Sequence, residues 1–426
     1  MMGQDRSSGA RTGLLVAAAS GVVFVVIAAI LVPWAWLPGE TVHAVPAGQV
    51  FTHTEIVRDE HISWMFRLAG WGNLVISLAV SLWLGMTRTG SRLVAKLPGR
   101  WALKVVLGSG AVLLLGTAAQ LPLDARGQSV ARDAGLSTQA WGSWLIDHAI
   151  SFAITWVFTA IGVLVVLAIA RKAPRSWPAW AAAAAAVLAI VGSFVYPVVV
   201  EPLFNTFTSL PAGPLRTDIF ALAKAEQVPI NDVLVADASR RTTTLNAYVS
   251  GFGDTRRVVL YDTVLTSLPR PEIEMIVAHE LGHAKHNDVL TGTLLGAVGS
   301  GIGIGLLGWL LASRWLLRRV GADSPADARV VPLVLALAAV GAFVASPVQN
   351  TISRAIEARA DLTSLQVTKD GKDFVAMQRK LTLSALSDPT PPWLSQFWFG
   401  SHPTVLERIG LAEEYLNGVR AKIQGP

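Results

Sequence analysis

The residues best able to do chemistry in this 426-residue chain stand together in Val277–Asp288, VAHELGHAKHND. His279 and His283 are four apart, so on a helix they stack on one face, separated by one turn. At that spacing both imidazoles can bind a single Zn2+ at about 2.0–2.1 Å. Glu280, beside the first histidine, projects next to such a metal and can take a proton from its bound water. The chain has no cysteine, which excludes thiolate metal sites, disulfides and cysteine nucleophiles. Any metal must therefore be held by His, Asp or Glu. A polar helix end at a membrane interface would account for the same residues, so the pair needs a third ligand. His286 shares the face one turn further on, but it lies too far along the axis to close a tetrahedron begun by His279 and His283. It reads as an interface histidine or as lining of the site.

A better third ligand lies in Asn350–Asp361, NTISRAIEARAD. Glu357 offers a carboxylate there. Asp361, four residues on, shares its helical face and can orient a liganding imidazole through the free ring N–H. Taken alone, the two acids would as readily form an acidic face paired with Arg354 and Arg359. Chain order favours the ligand reading. Between the two motifs lie two uncharged stretches, each long enough to cross a bilayer, and two crossings return the chain to the side it left. Both motifs then emerge on one side, next to each other if the two stretches form a hairpin.

With these residues in place, the sequence resembles the integral-membrane zinc metalloproteases of the M48 family, which include the Ste24-type CAAX prenyl proteases and their bacterial relatives. The resemblance rests on His279-Glu280-Leu281-Gly282-His283 and on Asn350, Ser353, Arg354, Glu357 and Asp361 at their spacing. It rests also on LNAYVSGFGDTRRVVLYDTVL (Leu245–Leu265) and SHPTVLERI (Ser401–Ile409). The first 200 residues agree only in hydropathy. The resemblance implies one Zn2+ on His279, His283 and Glu357, with Glu280 as general base and Asp361, Asn350 and Arg354 around the ligands. It places His402 and Arg408 near the metal, where either could stabilise an oxyanion, and Asn246 and Ala247 against a peptide substrate. It also implies a small α+β zincin-like (gluzincin) catalytic domain, and a multi-pass protein of a bacterial cell membrane.

The elements that must position these residues can be read separately. Of the chain, 52% is hydrophobic and only 15% charged, against roughly 25% charged for a soluble protein. Seven uncharged stretches are long enough to span a bilayer, which takes about 20 helical residues: Gly13–Leu37, Leu68–Thr87, Val105–Leu123, Ala149–Ala170, Trp177–Val200, Val289–Ser313 and Val330–Ser353. The apolar core of the first is too long for the h-region of a signal peptide, so an uncleaved helix is expected. Gly292, Gly296, Gly301 and Gly305 in the sixth read as small residues that let membrane helices approach. The fold class is thus mainly α and polytopic, with about seven membrane helices and a small catalytic domain in two pieces. The expected organisation is 1–200, five membrane helices; 201–288, a catalytic segment; 289–353, two more membrane helices; and 354–426, the second catalytic segment.

Within 201–288, Pro269 and Pro271 break the chain, and Pro271 suits the first turn of a helix. Glu272 and Glu274 complement the positive end of its dipole. Ile273, Ile276, Val277, Leu281 and Ala284 recur at helical spacing. Leu245–Ser250 and Arg257–Tyr261 read as strands around a turn at Gly251–Asp254, a hairpin whose edge could hold an extended peptide by main-chain hydrogen bonds. Asp147 and His148, at the edge of the fourth span, read as lining of a polar cavity or as interfacial residues.

The expected activity is hydrolysis of peptide bonds in membrane-associated or C-terminal substrates, prenylated CAAX sequences among them, by metal-bound water with Glu280 as base. Degradation of misfolded membrane proteins is the alternative. A zinc-binding scaffold without turnover would not need Glu280, and a transporter would carry its ionisable residues in mid-helix. No nucleic-acid partner is expected. Sidedness has two readings. Arg6, Arg11, Arg88, Arg92, Lys96, Arg100, Lys104, Arg171, Lys172, Arg175, Arg314, Arg318, Arg319 and Arg329 crowd the loops away from the catalytic segments, and the positive-inside rule puts those loops in the cytoplasm. The family resemblance instead implies a catalytic side facing the cytosol.

Overall fold

The computed structural model describes residues 2–424 except Pro38, Glu40 and Phe252. In chain order the helices are α1 (Met2–Leu31), α2 (Ala47–Val50), α3 (His53–Met86), α4 (Arg88–Lys96), α5 (Trp101–Asp133), α6 (Trp141–Lys172), α7 (Trp177–Val195) and α8 (Pro214–Ala225). They continue with α9 (Asp262–Ser267), α10 (Arg270–Lys285), α11 (Asp288–Leu311), α12 (Arg314–Val320), α13 (Val331–Thr368), α14 (Gly371–Ser384), α15 (Trp393–Phe399) and α16 (Val405–Gln424). Seven helices of the described chain are long and apolar enough to cross a membrane: α1, α3, α5, α6, α7 with its continuation to Leu203, α11 and α13. The protein is a multi-pass integral membrane protein. The side chain of Arg6 lies outside the described residues.

Small residues set how closely the membrane helices pack. A Cβ on Gly305 of α11 would lie 2.5 Å from Ala17 N and 2.6 Å from Gly13 O of α1, so the two backbones touch there directly. Of the glycines expected to act this way, Gly301 and Gly305 do, while Gly292 and Gly296 face open space.

Several membrane helices run on past their apolar stretch. The polar segments 53–67 and 124–133, expected as loops, are the first turns of α3 and the last turns of α5. The start of α3 is fixed by a capping box between Thr52 and Glu55, which satisfies two otherwise free backbone N–H groups. The boundary expected after residue 353 likewise falls inside one continuous 38-residue helix, α13. At about 1.5 Å per residue it rises roughly 39 Å from Val331 to Glu357, more than the ~30 Å hydrocarbon core of a bilayer. The one helix thus continues from the apolar span through Glu357 and Asp361 without a break.

Among the described residues the polar segments fold around a four-stranded sheet, with the main core on one side of it. Four short strands, β1 (Phe207–Ser209), β2 (Asp232–Ala236), β3 (Ala247–Ser250) and β4 (Arg257–Tyr261), take the order β1-β2-β4-β3. The expected hairpin is the antiparallel β3–β4 pair; its turn includes Phe252, which lies outside the described residues. Strand β2 joins β4 in parallel and leaves β3 at the sheet edge. Val258 and Leu260 from β4, Ile273, Val277 and Leu281 from α10, Phe374 and Met377 from α14 and Leu411 from α16 share a buried cluster. That core fixes α10 against the sheet on one flank and against the C-terminal helices on the other.

Candidate metal centre

Three elements from distant parts of the chain meet at the site. Helix α10 brings His279 and His283, α13 brings Glu357 and Asp361, and the loop before α16 brings His402. Close approach of α10 to α13 depends on Gly282, where a Cβ would lie 3.1 Å from Thr363 Cβ and 3.3 Å from its Cγ2. A side chain there would crowd Thr363, and a large one would press the two helices apart.

The two imidazoles cross edge-to-face with Nε2 atoms 3.1 Å apart. His279 Nε2 lies 3.2 Å from Glu357 Oε2, and His283 Nε2 lies 3.6 Å from Glu357 Oε1. Behind each ring stands a second carboxylate: Asp361 Oδ1 is 2.9 Å from His279 Nδ1, and Asp288 Oδ2 is 2.9 Å from His283 Nδ1. A ring whose Nδ1 faces a carboxylate keeps its proton there and turns the Nε2 lone pair the other way. Two lone pairs then converge with Glu357 Oε2, a buried oxygen that no hydrogen bond reaches. Lone pairs crowded in this way repel unless a cation lies between them. Among the described residues, His279, His283 and Glu357 form the one group able to hold a metal, with ligand atoms all within 4.8 Å of one another. The donor set, two imidazoles and a carboxylate with no sulfur, fits the ligands of catalytic zinc, which leave a fourth position open.

The same geometry governs the ionisable groups on α10. Burial opposes a charge on His279, but hydrogen bonding and attraction from Asp361 and Glu357 outweigh it and raise its pKa to about 10. The carboxylates thus demand positive charge at this point. Burial raises the pKa of Glu280, only partly offset by the two histidines. Among the described residues none donates a hydrogen bond to its carboxylate. An unencumbered carboxylate with raised proton affinity is suited to receiving a proton beside the ligands.

The remaining expected residues take more varied positions. His402 Nε2 is 3.4 Å from Glu357 Oε1, with a side chain 56% exposed, on the open side of the site. Arg408, expected near an oxyanion, instead grips Asp361 with Nε at 2.7 Å and Nη2 at 2.5 Å; its hydrogen bonds serve the carboxylate behind His279. Asn350 and Arg354 do not touch the ligands. Asn350 donates to Trp398 O, and Arg354 donates to Gln396 O and Gly400 O, so both hold the segment leading to His402. Pro347 prevents an intrahelical bond to Phe343 O, and Trp398 Nε1 donates to that carbonyl at 3.2 Å. His286 turns to Thr363 Oγ1, 3.3 Å away, and is not among the three residues whose ligand atoms converge. Ala247 opens the edge strand, and Asn246 O accepts from Tyr261 N. Asp147 accepts from Gln139 and lies 3.6 Å from Arg241. The turn between α5 and α6 is pinned to the chain before β3 by Thr138 N to Arg241 O and Thr243 N to Leu136 O.

Two residues behind the site escape a reading by spacing. Asp288 is five residues beyond His283, off its helical face; it returns only because Asn287, at φ 53°, breaks α10 from α11. An Asn directly after His286, of the type that tolerates this left-handed backbone, is the one local signal. Arg359, expected opposite Glu357 and Asp361, pairs with Asp288.

Two family models, curated relatives and a solved structure match this chain. Residues 209–416 match peptidase family M48, and residues 63–206 match the CAAX prenyl protease N-terminal region of five membrane helices. The chain is 32% identical over 314 residues to an uncharacterized metalloprotease, YhfN, of Bacillus subtilis, covering 71% of this chain and 72% of that one. It is 33% identical over 239 residues to a CAAX prenyl protease 1 homolog of Oryza sativa, where it spans only 53% of the relative's length. The crystal structure of S. mikatae Ste24p superposes with a TM-score of 0.78, covering 94% of this chain and 99% of that chain at 20% identity, which shows a shared fold.

Proposed function

The chain belongs to peptidase family M48, a metalloendopeptidase of the membrane, and we propose that it uses zinc on His279, His283 and Glu357 to hydrolyse peptide bonds in substrates that reach it from the bilayer. The observation that carries the reading is the convergence of two Nε2 atoms and an unpartnered, buried Glu357 oxygen beside the free carboxylate of Glu280. The metal's contribution, when bound, is Lewis acidity toward a water and a carbonyl oxygen. The chain's own residues do the rest. Glu280 accepts the proton of the attacking water on a carboxylate oxygen and returns it to the leaving amine. Asp361 and Arg408 fix the ring of His279. His402, exposed beside Glu357, is placed to donate to an oxygen that gains charge as the carbonyl is attacked.

The edge of β3 at Asn246 and Ala247 supports extended binding of a peptide, and the pinned turn between α5 and α6 steadies it from behind. An apolar portion of the substrate is favoured by the surroundings. His283 lies five residues before the membrane helix α11, and Trp393, Leu394, Phe397 and Phe399 on α15 are exposed just ahead of His402. The named relatives that cleave CAAX sequences make a prenylated C-terminal peptide the first substrate class to test. Turnover of damaged membrane proteins is the second. The test is cleavage of matched peptides, with and without a prenyl group and with free or extended C-termini. Preference for the prenylated C-terminal peptide supports the first class. Equal cleavage of plain and internal sequences supports the second, and cleavage of none rejects both.

Sidedness follows from charge. Arg88, Arg92, Lys96 and Arg100 around α4, Arg171 and Lys172 at the end of α6, and Arg314, Arg318 and Arg319 on α12 are exposed. All lie at helix ends opposite those that carry the site. By the positive-inside rule that end is cytoplasmic, and the peptidase site faces away from the cytoplasm.

A further inference from the structure

We infer that Asp288 and Arg359 form a second positioning pair, which holds His283 for the metal as Asp361 and Arg408 hold His279; the inference rests on the metallopeptidase reading above. Each ring has a buried carboxylate 2.9 Å from Nδ1 with an arginine beyond it, and of the two contacts it is His283–Asp288 that meets hydrogen-bond geometry. Asp361 presents Oδ1 to His279 Nδ1 at 2.9 Å and takes the Arg408 guanidinium behind it. Asp288 presents Oδ2 to His283 Nδ1 at 2.9 Å, and its other oxygen, Oδ1, takes Arg359 Nη2. Both carboxylates are buried, at 0% and 7% side-chain exposure.

Asp288 can do this because of where the chain breaks. The left-handed Asn287 ends α10 and lets α11 start immediately, so Asp288 is the first residue of a 24-residue helix and folds back toward the imidazole five positions earlier. An acidic side chain at that helix end is favoured by the backbone dipole, which accounts for an aspartate there but not for its contact with a ligand ring. Arg359 comes from α13, two residues beyond Glu357, and crosses to the start of α11. One helix therefore supplies a metal ligand, the carboxylate behind the first histidine and the cation behind the second. The pair also ties the emerging ends of two membrane helices to a ligand, so the spacing of α11 and α13 is read directly at the metal. Without Asp288 the Nδ1 proton of His283 loses its acceptor, and the ring is free to carry that proton on Nε2, the atom that faces the site.

The experiment is zinc affinity of the full-length protein in detergent, measured at one pH by competition with a chromophoric chelator, alongside thermal unfolding of the metal-free protein. Asp288→Ala is expected to weaken zinc binding by about 10–100-fold. Asp288→Asn, whose amide oxygen can still accept from Nδ1, is expected to recover most of that loss. Arg359→Ala, which leaves the carboxylate present but unbraced, is expected to fall between them and tests the link if Asp288→Ala does not fold. A purely structural pair would lower the unfolding temperature of the metal-free protein and leave zinc affinity within a few-fold of wild type in all three variants. That result overturns the inference and leaves the metal site standing. Absence of stoichiometric zinc in the wild type, or zinc binding indifferent to His279→Ala, would overturn the site reading itself.

Discussion

Removing Asp361 should damage the protein in two separable ways. Its carboxylate is fully buried and serves both His279, at 2.9 Å, and Arg408, through two hydrogen bonds of 2.7 and 2.5 Å. Asp361→Ala therefore strands a guanidinium that is only 13% exposed. Breaking one side of a buried ion pair costs about 3–5 kcal/mol, a large part of the roughly 5–15 kcal/mol that holds a domain together. Gln378, with its amide oxygen turned to the guanidinium at 3.1 Å, relieves part of this but supplies no charge. Truncating both partners removes the stranded charge, so Asp361→Ala with Arg408→Leu should be more stable than Asp361→Ala alone by about 1–3 kcal/mol. The second effect should not recover. Both variants lack the acceptor behind His279, and both should lose about 10–100-fold in zinc affinity. Unfolding of the metal-free protein and chelator competition, measured on all four corners of the double-mutant cycle, separate the two effects. A single variant with wild-type zinc affinity, or a double variant as unstable as the single, would refute the reasoning.

Glu280→Gln should bind zinc within a few-fold of wild type, since the residue is not a ligand, while peptide cleavage falls by about 10²–10⁴ or more; fluorogenic peptide hydrolysis and zinc titration of the same sample read both. Gly282→Val should separate α10 from α13, since even a Cβ at this position would lie 3.1 Å from Thr363. A cost of about 1–3 kcal/mol in stability is expected, with weakened zinc binding, and Gly282→Ala should be milder by both measures. The chain lacks cysteine, so single cysteines report sidedness cleanly. Lys372→Cys, exposed on α14, should react with an impermeant maleimide in spheroplasts, and Thr89→Cys, exposed on α4, only after lysis. The opposite pattern would put the peptidase site in the cytoplasm.

How far the sequence could be read depended on whether a residue's partner lay within its own element. His279 and His283 are legible because one helical turn brings them together without help from the rest of the fold. Glu357 needed only the count of membrane crossings. The seven spans were legible in hydropathy, yet their true ends were not. Polar turns of α3, α5 and α13 continue helices that hydropathy alone closes at the bilayer edge. Strand β2 and its parallel pairing with β4 were missed because five residues between a helix and a loop carry little pattern of their own. Arg408 was expected beside an oxyanion, but its hydrogen bonds go to Asp361, which only side-chain geometry reveals. Asp288 was hidden by a spacing of five that makes sense only once the break at Asn287 is seen. Asn350 and Arg354 carry a family pattern, but their long-range hydrogen bonds go to backbone carbonyls of residues 396–400, partners that no side-chain motif encodes.

Zinc held jointly by α10 and α13 is expected to drive peptide hydrolysis. This is tested most directly by following cleavage of a quenched fluorescent peptide by the purified full-length protein as a chelator strips the metal and zinc is added back. Activity should disappear with the metal, return at one zinc per chain, and never return in Glu357→Ala. Cleavage that continues undiminished in chelator, or that zinc restores equally in Glu357→Ala, would contradict this role of zinc.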